Sequence, residues 1–211
     1  MEEVQTHRPD RRRERTRQLL RDALTALIIE KGYDAISIQD ITDRANVARP
    51  TFYLHFRDKD ELLFSSVRDI YEDLAQRHYQ MEWTPEAILS AETVDDSDFQ
   101  HIAENAEFYK VMLSKRGSIT FLLQVLDYLT EVTMKDIISL MVPEGSQSRL
   151  PPGFIASFLA GPEIGVVRWW LANDMPHSPQ EMALIMHHLC TRGLAWAVDM
   201  PVPPSDFRVE S

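Results

Sequence analysis

The stretch Gly32-Tyr-Asp-Ala-Ile-Ser-Ile-Gln-Asp-Ile-Thr-Asp-Arg-Ala-Asn-Val-Ala-Arg-Pro-Thr-Phe-Tyr-Leu-His-Phe-Arg-Asp-Lys-Asp-Glu-Leu-Leu63 decides how this chain folds. Ser37 can accept hydrogen bonds from the first backbone N–H groups of a helix, and Asp40, three residues on, completes a capping-box pattern. Ile38, Ile41 and Ala45 then recur at helical spacing and define a buried stripe. Asn46 tolerates a left-handed backbone, so the helix can stop there and Val47 can open a turn. Pro50 suits the first turn of a further helix, roughly Arg49 to His55, because its missing N–H costs nothing at that position. Two short helices about a sharp turn make a helix-turn-helix, spanning about 37–56, whose second helix is built to enter a DNA major groove. Phe52 and Phe56 anchor the inner face, while Thr51, Tyr53 and His55 spread over the outer one. Arg49 can read guanine bidentately, and Tyr53 and His55 can bond phosphate oxygens. Lys59, at the start of the next helix, can pair with phosphate.

Upstream, Leu19, Leu20, Ala23, Leu24, Leu27 and Ile28 recur at three- and four-residue spacing, predicting a helix over about Asp10 to Lys31. Gly32 follows, the residue best able to end it. Downstream, Asp58 can cap a helix from Lys59 to about Tyr79, with Leu62, Leu63, Val67, Ile70, Tyr71 and Leu74 on one side. Trp83-Thr-Pro85 interrupts the pattern and puts a domain boundary near residue 80. Further helices are expected at about 85–91, 98–114, 118–142, 154–173 and 179–199, with Val142 to Gly153 a loop by composition. The fold class is therefore all-α. Residues 9–80 form a three-helix DNA-binding domain, residues 81–200 form a helical second domain, and 1–8 and 201–211 are tails.

The net charge of -11 argues at first against nucleic acid, but its distribution does not. Through Lys59 the chain carries 12 Lys/Arg against 10 Asp/Glu, and the remainder carries 10 against 23. Charge beyond a Debye length of about 8 Å is largely screened, so the contact face decides. Arg8, Arg11, Arg12, Arg13, Arg15, Arg17 and Arg21 crowd the start, with only Asp10 and Glu14 among them. One cysteine, Cys190, cannot form an internal disulfide, no apolar run approaches a membrane span, and the first residues lack the apolar stretch of a signal peptide. A cytoplasmic protein without membrane partners is expected.

The quoted stretch resembles the DNA-binding domain of the TetR family over about 60 residues. The resemblance is carried by Gly32-Tyr33, Ser37, Ala45-Asn46-Val47, Phe52-Tyr53, Phe56 and Lys59. Asn46 stands where that family usually has glycine, and Arg49 occupies a variable, base-reading position. The implied DNA contacts are Arg17, Ser37, Arg49, Pro50, Thr51, Tyr53, His55 and Lys59. Farther on, Phe108-Tyr109-Lys-Val-Met-Leu113, Trp169-Trp170-Leu171 and Ser178-Pro-Gln-Glu-Met182 are similar to one subgroup of the family.

The resemblance implies a homodimer on double-stranded DNA, closed by the last two long helices, with Gly161, Gly165, Trp170, Met186 and Leu189 at its interface. It also implies a cavity for an unidentified small-molecule effector. Phe108, Met112, Phe121, Tyr128, Met134, Met141, Phe158 and Trp169 are its candidate lining, since methionine and aromatic side chains suit adaptable pockets. The expected function is a ligand-responsive repressor on a palindromic operator, in which the effector tilts the 59–79 helix and changes the recognition-helix spacing. The alternative is a TetR-like coactivator answering to a protein partner. No Gly-rich phosphate loop, Gly-X-Ser-X-Gly elbow or zinc-spaced His/Glu pair suggests an enzyme or a cofactor. His187 and Cys190 share a helix face but lack further ligands for a metal.

Overall fold

A computed structural model describes residues 8–66, 68, 84–90, 94–143 and 148–201. The far end of the helix expected through Tyr79, together with residues 1–7 and 202–211, lies outside them. Among the described residues the chain is helical and carries no strand. The elements are α1 (Arg8–Lys31), α2 (Ile38–Ala45), α3 (Arg49–Tyr53), α4 (59–66), α5 (Pro85–Leu89), α6 (Ser97–Glu104), α7 (Ala106–Met112) and α8 (Ile119–Thr133). A π-helical turn (Met134–Ile138) leads into α9 (Ser139–Met141), and α10 (Pro152–Ala172) and α11 (Pro179–Ala197) follow. The segment expected as one helix over 98–114 is broken at Asn105, and the one over 118–142 carries the π turn near its end.

The chain divides into two compact units, Met1–Tyr71 with Val111–Leu122, and Glu72–Lys110 with Leu123–Ser211. A single boundary near residue 80 does not describe this, because a short distant segment joins the N-terminal unit. Its anchor is backbone pairing: Tyr33 N–H donates to Arg116 O at 2.9 Å. Gly32 makes room for the contact. Its φ of +80° is easily reached only without a side chain, and a Cβ there would stand 3.1 Å from the Arg116 Cβ.

In the first unit Leu20, Leu24, Ile28, Ile41, Phe52, Phe56, Leu62 and Leu63 are buried together from four helices. Each such side chain contributes about 1.5–3 kcal/mol relative to exposure, which stabilises helices too short to persist alone. Ion pairs tie α2 to α1 at the rim: Arg44 forks onto the Glu30 carboxylate, and Lys31 Nζ lies 2.9 Å from Asp40 Oδ1.

In the second unit Leu89, Ile138, Met141, Ile155, Ala156, Leu194, Ala195, Ala197 and Val198 form one buried cluster. α10 turns Ala156, Ala160, Val167 and Trp170 inward at three- and four-residue spacing. Pro162 stands within this helix and removes one backbone donor from it. α11 opens with a full capping box, Ser178 accepting from Glu181 N–H while the Glu181 carboxylate accepts from the Ser178 backbone. No helix among the described residues is long and apolar enough to cross a membrane.

Candidate nucleic-acid interface

The local chemistry of residues 37–56 produces the geometry expected of it. Ser37 caps α2: its hydroxyl accepts from Asp40 N–H at 3.1 Å, and the Asp40 carboxylate accepts from the Ser37 backbone at 2.7 Å and from its hydroxyl at 2.5 Å. These bonds, with Lys31, hold the Asp40 carboxyl well below the usual carboxylate range. The Ser37 hydroxyl is thus committed to holding the helix, which makes it a structural cap first and corrects its assignment as a primary DNA contact. Asn46 ends α2 at φ 52° and ψ 48°, the left-handed conformation anticipated for it, and its N–H reaches back to Asp43 O.

α3 is a turn and a half long, with Pro50 in its first turn and Ala48 extended before it. Phe52 is fully buried and Phe56 nearly so, their rings 6.0 Å apart, so the helix is pinned from beneath. On the opposite side Arg49, Pro50 and Tyr53 are exposed, with Thr51 and His55 half-buried beside them. Arg49 Nη2 lies 3.3 Å from the Tyr53 hydroxyl, and its guanidinium stands 5.9 Å from that ring. The pair, one helical turn apart, presents a planar cation and a phenol on one rigid surface, the donor set that base edges and phosphates require.

Arg17 reaches this face from α1. Its guanidinium packs 4.8 Å over the Phe56 ring, placing a cation beside α3. Arg13 and Arg17, with partial burial as the larger cause, push the His55 pKa down. His55 therefore meets DNA as a neutral imidazole at neutral pH and gains affinity for a proton when phosphate arrives. Arg11, Arg12, Arg13 and Arg15 are all exposed on α1.

Lys59 is differently employed than the sequence suggested. Its ammonium donates to Tyr33 O and Ile36 O, both at 3.0 Å, and sits 4.2 Å from the Tyr33 ring centre. Tyr33 in turn donates its hydroxyl to Asp60. Burial and the Asp60 carboxylate hold that phenol protonated by raising its pKa. Lys59 is thereby a clamp between the α1–α2 loop and α4, with one N–H left for phosphate. Tyr33 and Asp60 belong to the same clamp, which pattern reading missed because cation, ring and carboxylate come from two loops.

The candidates in the second half of the chain sort by burial. Phe108, Met112, Phe121 and Met141 are buried and Tyr128 is half-buried. Met112 and Phe121 fall in the N-terminal compact unit, the others in the second. Phe158 and Trp169 are 52% and 51% exposed, and Met134 is exposed as well, so none of the three lines an enclosed cavity of the single chain. Trp170, expected at a dimer interface, is completely buried. It packs edge-on against Phe99 at 5.6 Å and donates Nε1–H to His177 O. The adjacent tryptophans exchange roles because consecutive residues point about 100° apart on a helix, and the inward stripe falls on 167 and 170–171. Gly161 and Gly165 face open space, Leu189 is exposed and Met186 half-buried.

A pinned helix-turn-helix with a cationic, polar outer face defines a DNA-binding protein. The comparisons with known proteins agree. The family described as "Bacterial regulatory proteins, tetR family" matches residues 20–65, and "Transcriptional regulator C-terminal region" matches residues 97–192. The HTH-type transcriptional activator FasR of Mycolicibacterium smegmatis is 25% identical over 176 residues, covering 78% of this chain and 76% of its own. A TetR regulator from Streptococcus agalactiae superposes with a TM-score of 0.61 at 22% identity, over 86% of this chain and 97% of its own. FadR from Bacillus subtilis, solved in complex with stearoyl-CoA, gives a TM-score of 0.58 at 21% identity, over 83% and 98%. The chain belongs to the TetR family of DNA-binding transcriptional regulators.

Proposed function

We propose that the protein is a homodimeric repressor whose hold on a palindromic operator is controlled by a small molecule bound in its second unit. The observation that carries the DNA half of this reading is the Arg49–Tyr53 surface held rigid over buried Phe52 and Phe56. A dimer places two such surfaces on successive major grooves about 34 Å apart, which accounts for a palindrome. The dimer half is supported by the outer faces of α10 and α11. Phe154, Phe158 and Trp169 on one helix, and Leu189 and Trp196 on the other, expose large apolar groups, and Gly161 and Gly165 leave room for close helix approach. The Phe158 ring lies 3.6 Å from where a Gly193 Cβ would stand, so the two faces adjoin. Effector control is supported by the FadR neighbour, described as bound to stearoyl-CoA.

Footprinting on DNA upstream of the gene, with a reporter carrying the same fragment, tests the proposal. Two protected half-sites one helical turn apart, and expression that rises when the gene is deleted, are the expected results. A second reading, activation, draws on FasR, a named activator aligned over most of the chain. It predicts the opposite sign in the same reporter.

A further inference from the structure

The inward stripe of α10 is apolar at every position but one. Ala156, Ala160, Val167 and Trp170 are buried, and Glu163 stands midway along the same face. Protein surrounds Glu163 on all sides, yet the residue keeps accessible surface of its own. Both conditions hold together where a side chain borders an internal void or crevice.

Other polar groups of the second unit converge on it. Tyr109 of α7 is similarly enclosed and feels the Glu163 charge, as does Cys190 of α11. Asp98 of α6 acts on both Glu163 and Tyr109. His101 packs edge-on against Tyr109 at 5.9 Å. The pKa values of His101 and of His187 are lowered by burial, so neither imidazole supplies a positive charge at neutral pH. Among the described residues, neither the Glu163 carboxyl nor the Tyr109 hydroxyl has a hydrogen-bond or ion-pair partner. An interior acid with no cation opposite it is costly to ionise, and burial with Asp98 pushes the Glu163 pKa up to about 8. Aromatic rings adjoin the same groups: Phe108 lies 5.3 Å from Tyr109, and Phe99 lies 5.6 Å from Trp170. A polar acceptor deep among aromatic walls suits an organic cation, which gains both a carboxylate and ring faces.

We infer that Glu163 and Tyr109 form the recognition point of an effector site for a protonated amine carried on an apolar body. This rests on the effector-binding reading above and names the chemical class that the site takes. The amine supplies the missing counter-charge, its N–H groups donate to the Glu163 carboxylate and the Tyr109 oxygen, and binding drives the Glu163 proton into solvent.

The test is isothermal titration calorimetry of the full-length protein at pH 7 with octylamine, octanol and octanoate, which share a chain and differ in head group. Octylamine is expected to bind at least about tenfold more tightly than the other two. Its heat should depend on the ionisation enthalpy of the buffer, corresponding to release of close to one proton per site. Glu163→Gln is expected to weaken octylamine by about tenfold or more and to abolish the proton release, leaving octanol unchanged. Tyr109→Phe should weaken octylamine by a smaller factor, and circular dichroism should find both variants folded. Octanol or octanoate binding as tightly as octylamine, no binding by any of the three, or an octylamine affinity indifferent to Glu163→Gln would overturn the inference. DNA affinity measured in parallel separates this from the wider reading. Glu163-dependent amine binding that leaves DNA affinity untouched removes effector control while the amine site stands. Release of DNA by octanol or octanoate with no preference for octylamine preserves effector control and removes the amine.

Discussion

Replacing Glu163 by Gln should make the protein more stable, and by an amount that grows with pH. In the fold this carboxyl titrates at about 8, against an ordinary value of 4.5, because it is enclosed and lies near Asp98. Between those two values the native state holds a proton that the unfolded chain gives up. Stability therefore falls as pH rises, by about 1.4 kcal/mol per pH unit, and the loss ends once pH passes the folded pKa. From pH 5 to pH 7 the wild type should lose about 2–3 kcal/mol through this group alone. Asp98, Tyr109, His101, His187 and Cys190 also border it, but they are common to both proteins and largely cancel in the difference. Gln has nearly the same shape and no proton to lose, so the two proteins should be within about 1 kcal/mol of each other at pH 5 and well separated at pH 8. Urea denaturation at fixed protein concentration, at pH 5, 6, 7 and 8, measures this directly. A stability difference that is flat across the range would refute the claim that Glu163 is held protonated by its surroundings.

Three further outcomes are expected. Trp170→Ala should destabilise the protein by about 3–5 kcal/mol through loss of a fully buried ring, while Trp169→Ala should leave stability within about 0.5 kcal/mol at concentrations where oligomerisation does not contribute; similar costs for both would contradict the exchanged roles of these residues. Lys59→Met should remove the clamp on Tyr33 O and Ile36 O and cost about 2 kcal/mol, read by chemical denaturation; an unchanged midpoint would leave the ammonium without its structural role. Asn46→Ala, which forces alanine into the left-handed region, should cost about 1 kcal/mol, and Asn46→Gly should cost nothing or stabilise; the reverse order by thermal denaturation would count against that turn geometry.

The DNA-binding half was legible because its signals are local. A cap at Ser37, a left-handed stop at Asn46 and a proline at the start of α3 each act within four residues, and the structure realises all of them. Phe52 and Phe56 declared their inward direction by spacing alone. The Lys59–Tyr33–Asp60 clamp was not legible, since its parts are about 26 residues apart in sequence and meet only through the fold. In α10 the apolar run was so dense that periodicity could not say which face is inner. Trp169 and Trp170 were assigned the wrong way round, and Phe158 went to the interior although it lies outside. Glu163 did leave a signal, as the one acid in a helix of 21 residues, and its spacing from Ala160 and Val167 put it on the inner face.

Fluorescence anisotropy with DNA from upstream of the gene, across a salt series and with Tyr53→Ala alongside, tests the central claim most directly. The account predicts saturable binding to a short palindromic stretch that weakens steeply with salt and is lost in the variant. Binding that ignores both the sequence of the DNA and the presence of Tyr53 would contradict it.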